Sequence, residues 1–241
     1  QYKVVNLSLE NYFENYLGQK ATTEEKFMTK ATIELAKKIV ANKNILNLGL
    51  GNGLTSSQLE NIVKSQVVIE GSKKIIESFS FESEKTIFIE SYFENYISDK
   101  KFDVILANHV LEHVDNPIEL MKEKFNEWLS DDGVAFITVP NAKSIHRLIG
   151  KQMSMINTEY DLNNSDIKAG HQRVYDIDLL KNHIKKANLE IVEMGGYNIK
   201  MVSLLQMQEW SQELLDAIFE VSKKIPPELC ANIWVKIKKN D

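Results

Sequence analysis

The sequence predicts a doubly wound α/β fold: a mostly parallel seven-stranded sheet with helices on both faces, an antiparallel last strand and small helical insertions. Three observations carry this. Short, nearly all-apolar runs alternate with helical stretches, as strands buried on both faces require. The first run ends in a turn with three glycines at alternate positions, LGLGNG (48–53). The chain closes on ANIWVKIKK, where Ile233, Val235 and Ile237 alternate with Trp234, Lys236 and Lys238, the period of a strand with one wetter face.

Taken in order, residues 9–20 and 23–40 place Leu9, Tyr16 and Leu17, then Phe27, Met28, Ala31, Leu35, Ile39 and Val40 at helical spacing. ILNL (45–48) opens the strand series and precedes a helix through Gln58–Lys64; VVIE (67–70) precedes one reaching about Phe79. TIFIE (86–90), DVILAN (103–108) and GVAFITV (133–139) continue it. Between the last two, Asn116 can cap a helix, Pro117 suits its first turn, and Ile118, Met121, Phe125 and Trp128 share one face. Residues 141–172 show no period and read as an insertion. A helix (177–187) and a strand (189–194) follow, then an amphipathic segment (200–224) ended by Pro226–Pro227. The expectation is one domain over 1–241, with an N-terminal helical lid over 1–40 and insertions at 141–172 and 198–227 near an acceptor site.

Bulk properties narrow the function. The chain has 241 residues, 43% hydrophobic and 26% charged, enough for one sizeable core. A net charge of −5 and scattered lysine pairs argue against a nucleic-acid partner. One cysteine, Cys230, excludes an internal disulfide framework and suits the cytoplasm. No apolar run is long enough to span a membrane, and no signal-peptide pattern is seen.

The glycine turn points to a nucleotide-like ligand at the carboxyl end of the sheet. Glu70, 21 residues after Gly49, has the spacing of a carboxylate that grips ribose hydroxyls. The pattern is GxGxG through Gly49, Gly51 and Gly53, with Leu54 where a dinucleotide fingerprint places its third glycine. That departure favours a cofactor without a pyrophosphate.

At this point the sequence resembles the class I S-adenosylmethionine-dependent methyltransferases, from about residue 27 to 197. Their first motif is an acid followed by xGxGxG, matched from Asn47 to Gly53 except at the acid. KFDVILANHVLEHVDNP resembles their fourth strand, with LEHV and a following proline its most distinctive part; DDGVAFITVPNAKSIHRLIG resembles the fifth strand and its exit, and HQRVYD a segment before a late helix. The resemblance implies S-adenosyl-L-methionine as cofactor. Asn47, Gly49, Gly51 and Gly53 would line its methionine part, Glu70 its ribose, Ser91 and Tyr92 its adenine, and Asn108 and His109 its sulfonium end. Asparagine at 47 keeps hydrogen-bonding capacity and loses the charge, which predicts weaker cofactor binding; a loop-bracing role fits it equally.

Histidine is the natural base near neutral pH. His109, just past the fourth strand, is the leading base or acceptor-orienting residue, with a helix-cap role as its plain alternative. His113 completes the catalytic candidates, though its place in LEHV also suits a structural tie. HVLEH further brings His109, Glu112 and His113 to a spacing that could bind a divalent metal on a helical turn, but no fourth ligand is evident, and no metal is expected. His171, Arg173 and Tyr175 of HQRVYD, with Asn141 at the fifth-strand exit, are the candidates for touching the acceptor; His146 and Arg147 fit better as pins of the insertion. Met201, Met207 and Trp210 suit an apolar acceptor wall or a contact in a homodimer.

The expected activity is methyl transfer to oxygen or nitrogen of a small molecule, with a sugar, nucleotide-linked sugar or surface-glycan precursor as first guess. The rivals are a cofactor-poor partner subunit of the same fold, suggested by Asn47, and a nicotinamide-dependent oxidoreductase, disfavoured by the glycine spacing.

Overall fold

The computed structural model of the protein describes residues 23–202, 204–207 and 209–240. Its centre is a seven-stranded sheet in the order β3-β2-β1-β4-β5-β7-β6. The strands are β1 (Asn44–Leu48), β2 (Ser65–Glu70), β3 (Thr86–Glu90), β4 (Phe102–Asn108), β5 (Leu129–Pro140), β6 (Leu189–Tyr197) and β7 (Asn232–Lys239). All neighbours pair in parallel except β7, which runs antiparallel to both β5 and β6. The order reverses between β1 and β4, so the ligand crevice of this topology opens beyond the carboxyl ends of those two strands.

Side-chain alternation builds two cores. Ile105 and Ala107 of β4 join Leu46 and Leu48 on one face, while Val104 and Leu106 join Ile45 on the other. The first face is covered by α4 and α7. Helix α4 runs as an α turn over Pro117–Glu119, widens to a π-helix over Leu120–Phe125 and closes with an α turn over Asn126–Trp128; α7 spans Ile177–Lys186. Met121, Phe125 and Trp128 are fully buried there, as their spacing predicts, and the Asn116 side chain caps the helix by accepting from Glu119 N. The second face carries α1 (Thr23–Val40) and α2 (Leu54–Leu59), through Ile33, Ala36, Val40 and Leu59. Helix α3 (Lys73–Phe79) packs Ile75 on Val68 and Leu50.

Several boundaries differ from those read in the sequence. The helix expected through Lys64 ends at Leu59, because Ile62 and Val63 both turn back to Leu59 O and Ile62 O then accepts from Asn42 N. The insertion forms two short helices, α5 (Ile145–Gln152) and α6 (Asn164–Ala169), the latter held by an Asn163/Asp166 capping box. The amphipathic stretch splits into α8 (Leu204–Met207) and α9 (Gln212–Ser222). Strand β6 runs three residues beyond expectation, through Gly195 and Gly196, where a Cβ would meet the Trp234 ring at 2.7 Å and Cys230 at 2.7 Å. Those glycines let β7 and its approach lie against the strand. Over its described part, the segment expected as a lid over 1–40 forms α1, with Phe27, Ala31, Ala36 and Val40 buried. The remainder of that expected lid, with Leu9, Tyr16 and Leu17, lies outside the described residues.

Candidate active site

The carboxyl-terminal ends of β1, β2, β3, β4, β5 and β6 supply the site. After β1 the chain turns through Gly49, Gly51 and Gly53 at φ 82°, 55° and 75°, a region in which a side chain is strained. Gly49 N donates to Ile69 O at 2.8 Å, which pins the turn to β2. Glu70 then closes it: Leu50 N donates to one carboxylate oxygen (3.0 Å) and Ser72 N to the other (2.9 Å). Each oxygen keeps a further lone pair for ligand hydroxyls. Ser91 N bonds Glu70 O at 3.0 Å, and the Tyr92 ring stands exposed beside it.

The fit to an adenosine-type cofactor rests on these glycines. A Cβ on Gly51 would meet no protein atom within 4 Å, so the strained residue faces open space, while a Cβ on Gly53 would lie 2.7 Å from Phe79 O. Hence the two serve different ends. We expect Gly53→Ala to destabilise the fold by about 2–3 kcal/mol, from strain and overpacking together. Gly51→Ala should cost only about 1–2 kcal/mol of stability but weaken S-adenosylhomocysteine binding more than tenfold. Urea denaturation beside calorimetric titration checks this; equal loss of affinity in both variants would refute the division of labour.

Asn47 is buried on β1, and its Nδ2 donates to Ser56 Oγ at 2.8 Å, tying the strand to α2. The bracing alternative thus describes its observed contact.

At the end of β4, Asn108 Oδ1 accepts from Thr138 Oγ1 of β5 (2.5 Å) and from Thr32 Oγ1 of α1 (3.1 Å). His109 follows at φ 54°, left-handed backbone that a non-glycine residue adopts only where its surroundings over-determine it. Its N–H donates to Thr138 O at 3.0 Å. Its ring spans two buried groups, with Nδ1 at 3.1 Å from Glu112 Oε1 and Nε2 at 3.2 Å from the Tyr197 hydroxyl. The His109 side chain keeps 26% exposure while Glu112 has none. Burial opposes ionisation of Glu112, but the His109 hydrogen bond and the three surrounding imidazoles outweigh it and hold the carboxyl below its ordinary range. An ionised Glu112 can only accept, so neutral His109 carries its proton on Nδ1 and leaves Nε2 an acceptor, facing the Tyr197 hydroxyl.

His113 stands apart from this. Its ring meets His171 edge-on, with centroids 4.8 Å apart, and burial holds it below its usual pKa. Its polar atoms serve the joint between the turn and the insertion rather than the crevice. The metal grouping also changes. Residues 109–115 form turns, not a helix, and the donor atoms lying within 4.8 Å of one another are those of Glu112, His113 and His171, without His109. Glu112 Oε2 is buried without a hydrogen-bond partner, so these three residues could hold a cation.

The residues expected to touch the acceptor are mostly spent on the fold. The Arg173 guanidinium donates to the carbonyls of Leu111, Val114 and Asp115. Tyr175 is fully buried, 3.2 Å from His183 Nδ1. Asn141 gives its amide to the Glu228 and Cys230 carbonyls and accepts from Lys143 N. His171 pairs with Asp166, which also accepts from Arg147; burial resists its charge, but these partners hold Asp166 at about 2. Arg147 pins the insertion through Asp166. Sequence reasoning missed Thr32, Thr138 and Tyr197, whose hydroxyls gather around Asn108 and His109.

The methyltransferase domain family profile matches residues 21–194, well over half of the chain. The chain belongs to this family. The reading as a class I S-adenosylmethionine-dependent methyltransferase, its cofactor included, therefore stands. The methyltransferase is 28% identical over 184 residues to a ubiquinone biosynthesis O-methyltransferase of Pelagibacter ubique, covering 74% of this chain and 75% of that one. A namesake from Rickettsia bellii is 26% identical over 171 residues, covering 66% and 68%. Among solved structures it resembles a Thermotoga maritima S-adenosylmethionine-dependent methyltransferase described as a possible histamine N-methyltransferase (16% identity, TM-score 0.62, 96% of each chain). It also resembles the plantazolicin methyltransferase BamL, solved with SAH and a triazolic desmethylPZN analog (17%, 0.61, 96% and 91%). These structural likenesses establish the fold. The sugar and glycan acceptors expected from the sequence find no support among these relatives. No helix among the described residues is long and apolar enough to cross a membrane.

Proposed function

We propose that this methyltransferase methylates a hydroxyl of a small phenol-type molecule, with His109 as general base oriented by Glu112. The observation that carries the reading is the His109 ring at the carboxyl end of β4, beside the glycine turn, with Nδ1 held by a fully buried carboxylate at 3.1 Å. Oxygen as the methylated atom, and a phenol as its carrier, follow the relatives named ubiquinone biosynthesis O-methyltransferase. Bound S-adenosylmethionine supplies an electrophilic methyl group.

The protein does the rest. Gly49 and Gly51 let the backbone approach the cofactor, Gly53 fits the turn against Phe79, Glu70 takes ribose hydroxyls, Ser91 and Tyr92 border the adenine side, and Asn108 borders the sulfonium side. Holding the acceptor in line is worth roughly 7–11 kcal/mol. His109 Nε2 accepts the hydroxyl proton as the oxygen becomes nucleophilic, and Glu112 stabilises the resulting imidazolium, adding roughly 10²–10⁴-fold. The test is transfer of a radiolabelled methyl group to 3,4-dihydroxybenzoate, with histamine as the amine control. Label on the phenol oxygen supports the reading; label on the amine alone would sink it.

Asn47 tunes the same site. Asn47→Asp should tighten S-adenosylmethionine binding about fivefold, the ~1 kcal/mol of a partly screened ion pair. The brace survives, because Ser56 Oγ can turn to donate to the new carboxylate. Calorimetry decides it; unchanged affinity would make position 47 purely a brace.

A further inference from the structure

We propose that Asn108 selects oxygen over nitrogen as the methylated atom, by turning its amide N–H groups into the crevice, and that Thr32 and Thr138 are the positioning residues that hold it that way. The inference rests on the reading of the site as one for hydroxyl acceptors, and gives that choice a cause within this chain.

Asn108 ends β4 in register with Thr138 of β5, so both side chains stand on the sheet face that α1 covers. Two hydroxyls from separate elements converge there on one atom, Asn108 Oδ1, with Thr138 Oγ1 at 2.5 Å and Thr32 Oγ1 at 3.1 Å. A separation of 2.5 Å belongs to O–H···O bonds, since N–H···O bonds begin near about 2.7 Å; the amide therefore faces the threonines with its oxygen. Thr138 Oγ1 already accepts from His109 N at 3.2 Å. A reversed amide would crowd it with a second N–H and take away the oxygen that both threonine protons now share. Nδ2 is left over. It meets no hydrogen-bond partner among the described residues and is not sealed from solvent, and at the carboxyl end of β4 the open side is the crevice.

A cationic sulfonium or ammonium repels such a group, so its counterpart is the methyl acceptor. A hydroxyl oxygen has two lone pairs. One forms the new C–O bond while the methyl–sulfur electron pair stays with sulfur and the hydroxyl proton ends in bulk water; the other accepts from Nδ2 throughout. A neutral amine has a single lone pair, spent in the attack, and its own N–H bonds then oppose Nδ2 donor to donor. A mismatch of that kind costs about 10–100-fold.

Matched acceptors test it, 3,4-dihydroxybenzoate against 3,4-diaminobenzoate, compared by kcat/KM for methyl transfer. Asn108→Asp keeps one oxygen for the threonines and puts a second where Nδ2 stood, so the dihydroxy-to-diamino ratio should fall about tenfold or more. Thr138→Val frees the amide to turn and should lower the ratio about threefold, and Thr138→Ser should restore it. An unchanged ratio in Asn108→Asp overturns the proposal. So does a loss of S-adenosylhomocysteine affinity beyond about tenfold in that variant, which would put the cofactor's carboxylate on Nδ2. One readout needs no acceptor: the Asn108 side-chain amide signal in ¹⁵N-labelled full-length protein, identified by its loss in Asn108→Asp. Its protons should exchange freely with water; protected protons mean a reversed amide and end the proposal. The hydroxyl reading fails separately, if the wild type labels neither compound, and the amide signal and the S-adenosylhomocysteine affinity then judge the role of Asn108 alone.

Discussion

His109→Asn should lower kcat by roughly 10²–10⁴-fold while leaving S-adenosylhomocysteine affinity within about twofold. Asparagine is the informative replacement because residue 109 sits at φ 54°, where asparagine rests with little strain and alanine does not. The substitution therefore removes the imidazole without unsettling the turn that follows β4. Its amide can still reach toward Glu112, so the buried carboxylate is not abandoned as it would be in an alanine variant, where a lone buried charge costs several kcal/mol. Steady-state rates with 3,4-dihydroxybenzoate, beside calorimetry, separate chemistry from cofactor binding. If turnover stays within about threefold of wild type, no base acts at this position and positioning alone carries the reaction.

The parts of this site that could be read beforehand are those written within one short segment. The glycine turn and Glu70 lie on successive strands, and their spacing encodes a ligand because the backbone between them has few other ways to run. His109 was legible for a similar reason, as the first residue past a strand whose run Val104–Ala107 is buried throughout. Tyr197 was not, since it meets His109 across 88 positions of chain and stands behind Gly195 and Gly196, which read locally as the end of a strand. Only the demands of Trp234 and Cys230 keep that strand going. Arg173 misled in the opposite sense. A guanidinium near an acceptor suggests an anion, yet residues 109–115 form turns whose carbonyls have no helical partner, and Arg173 satisfies three of them. The same turn geometry separates His109 from His113, which helical spacing alone would have paired.

Glu70→Ala should weaken S-adenosylhomocysteine binding about 100-fold. Two losses add. The carboxylate no longer accepts from ligand hydroxyls, and it no longer holds Leu50 N and Ser72 N, the two backbone donors that close the glycine turn against β2. Hydrogen bonds to a charged acceptor are worth roughly 1.5–3 kcal/mol each, so the loss of even one or two accounts for a shift of this size. Glu70→Gln tells the two apart. Its carbonyl can still serve one backbone N–H, but its amide must confront the other, so the turn loosens on one side only; we expect affinity between wild type and alanine, about tenfold down. Both variants should fold, since Glu70 sits at the strand's end and the sheet core beneath it, Val68 and Ile69, is untouched. If Glu70→Ala binds within threefold of wild type with its circular dichroism intact, the turn keeps its shape through Gly49 N and Ile69 O alone, and the ribose must be held elsewhere.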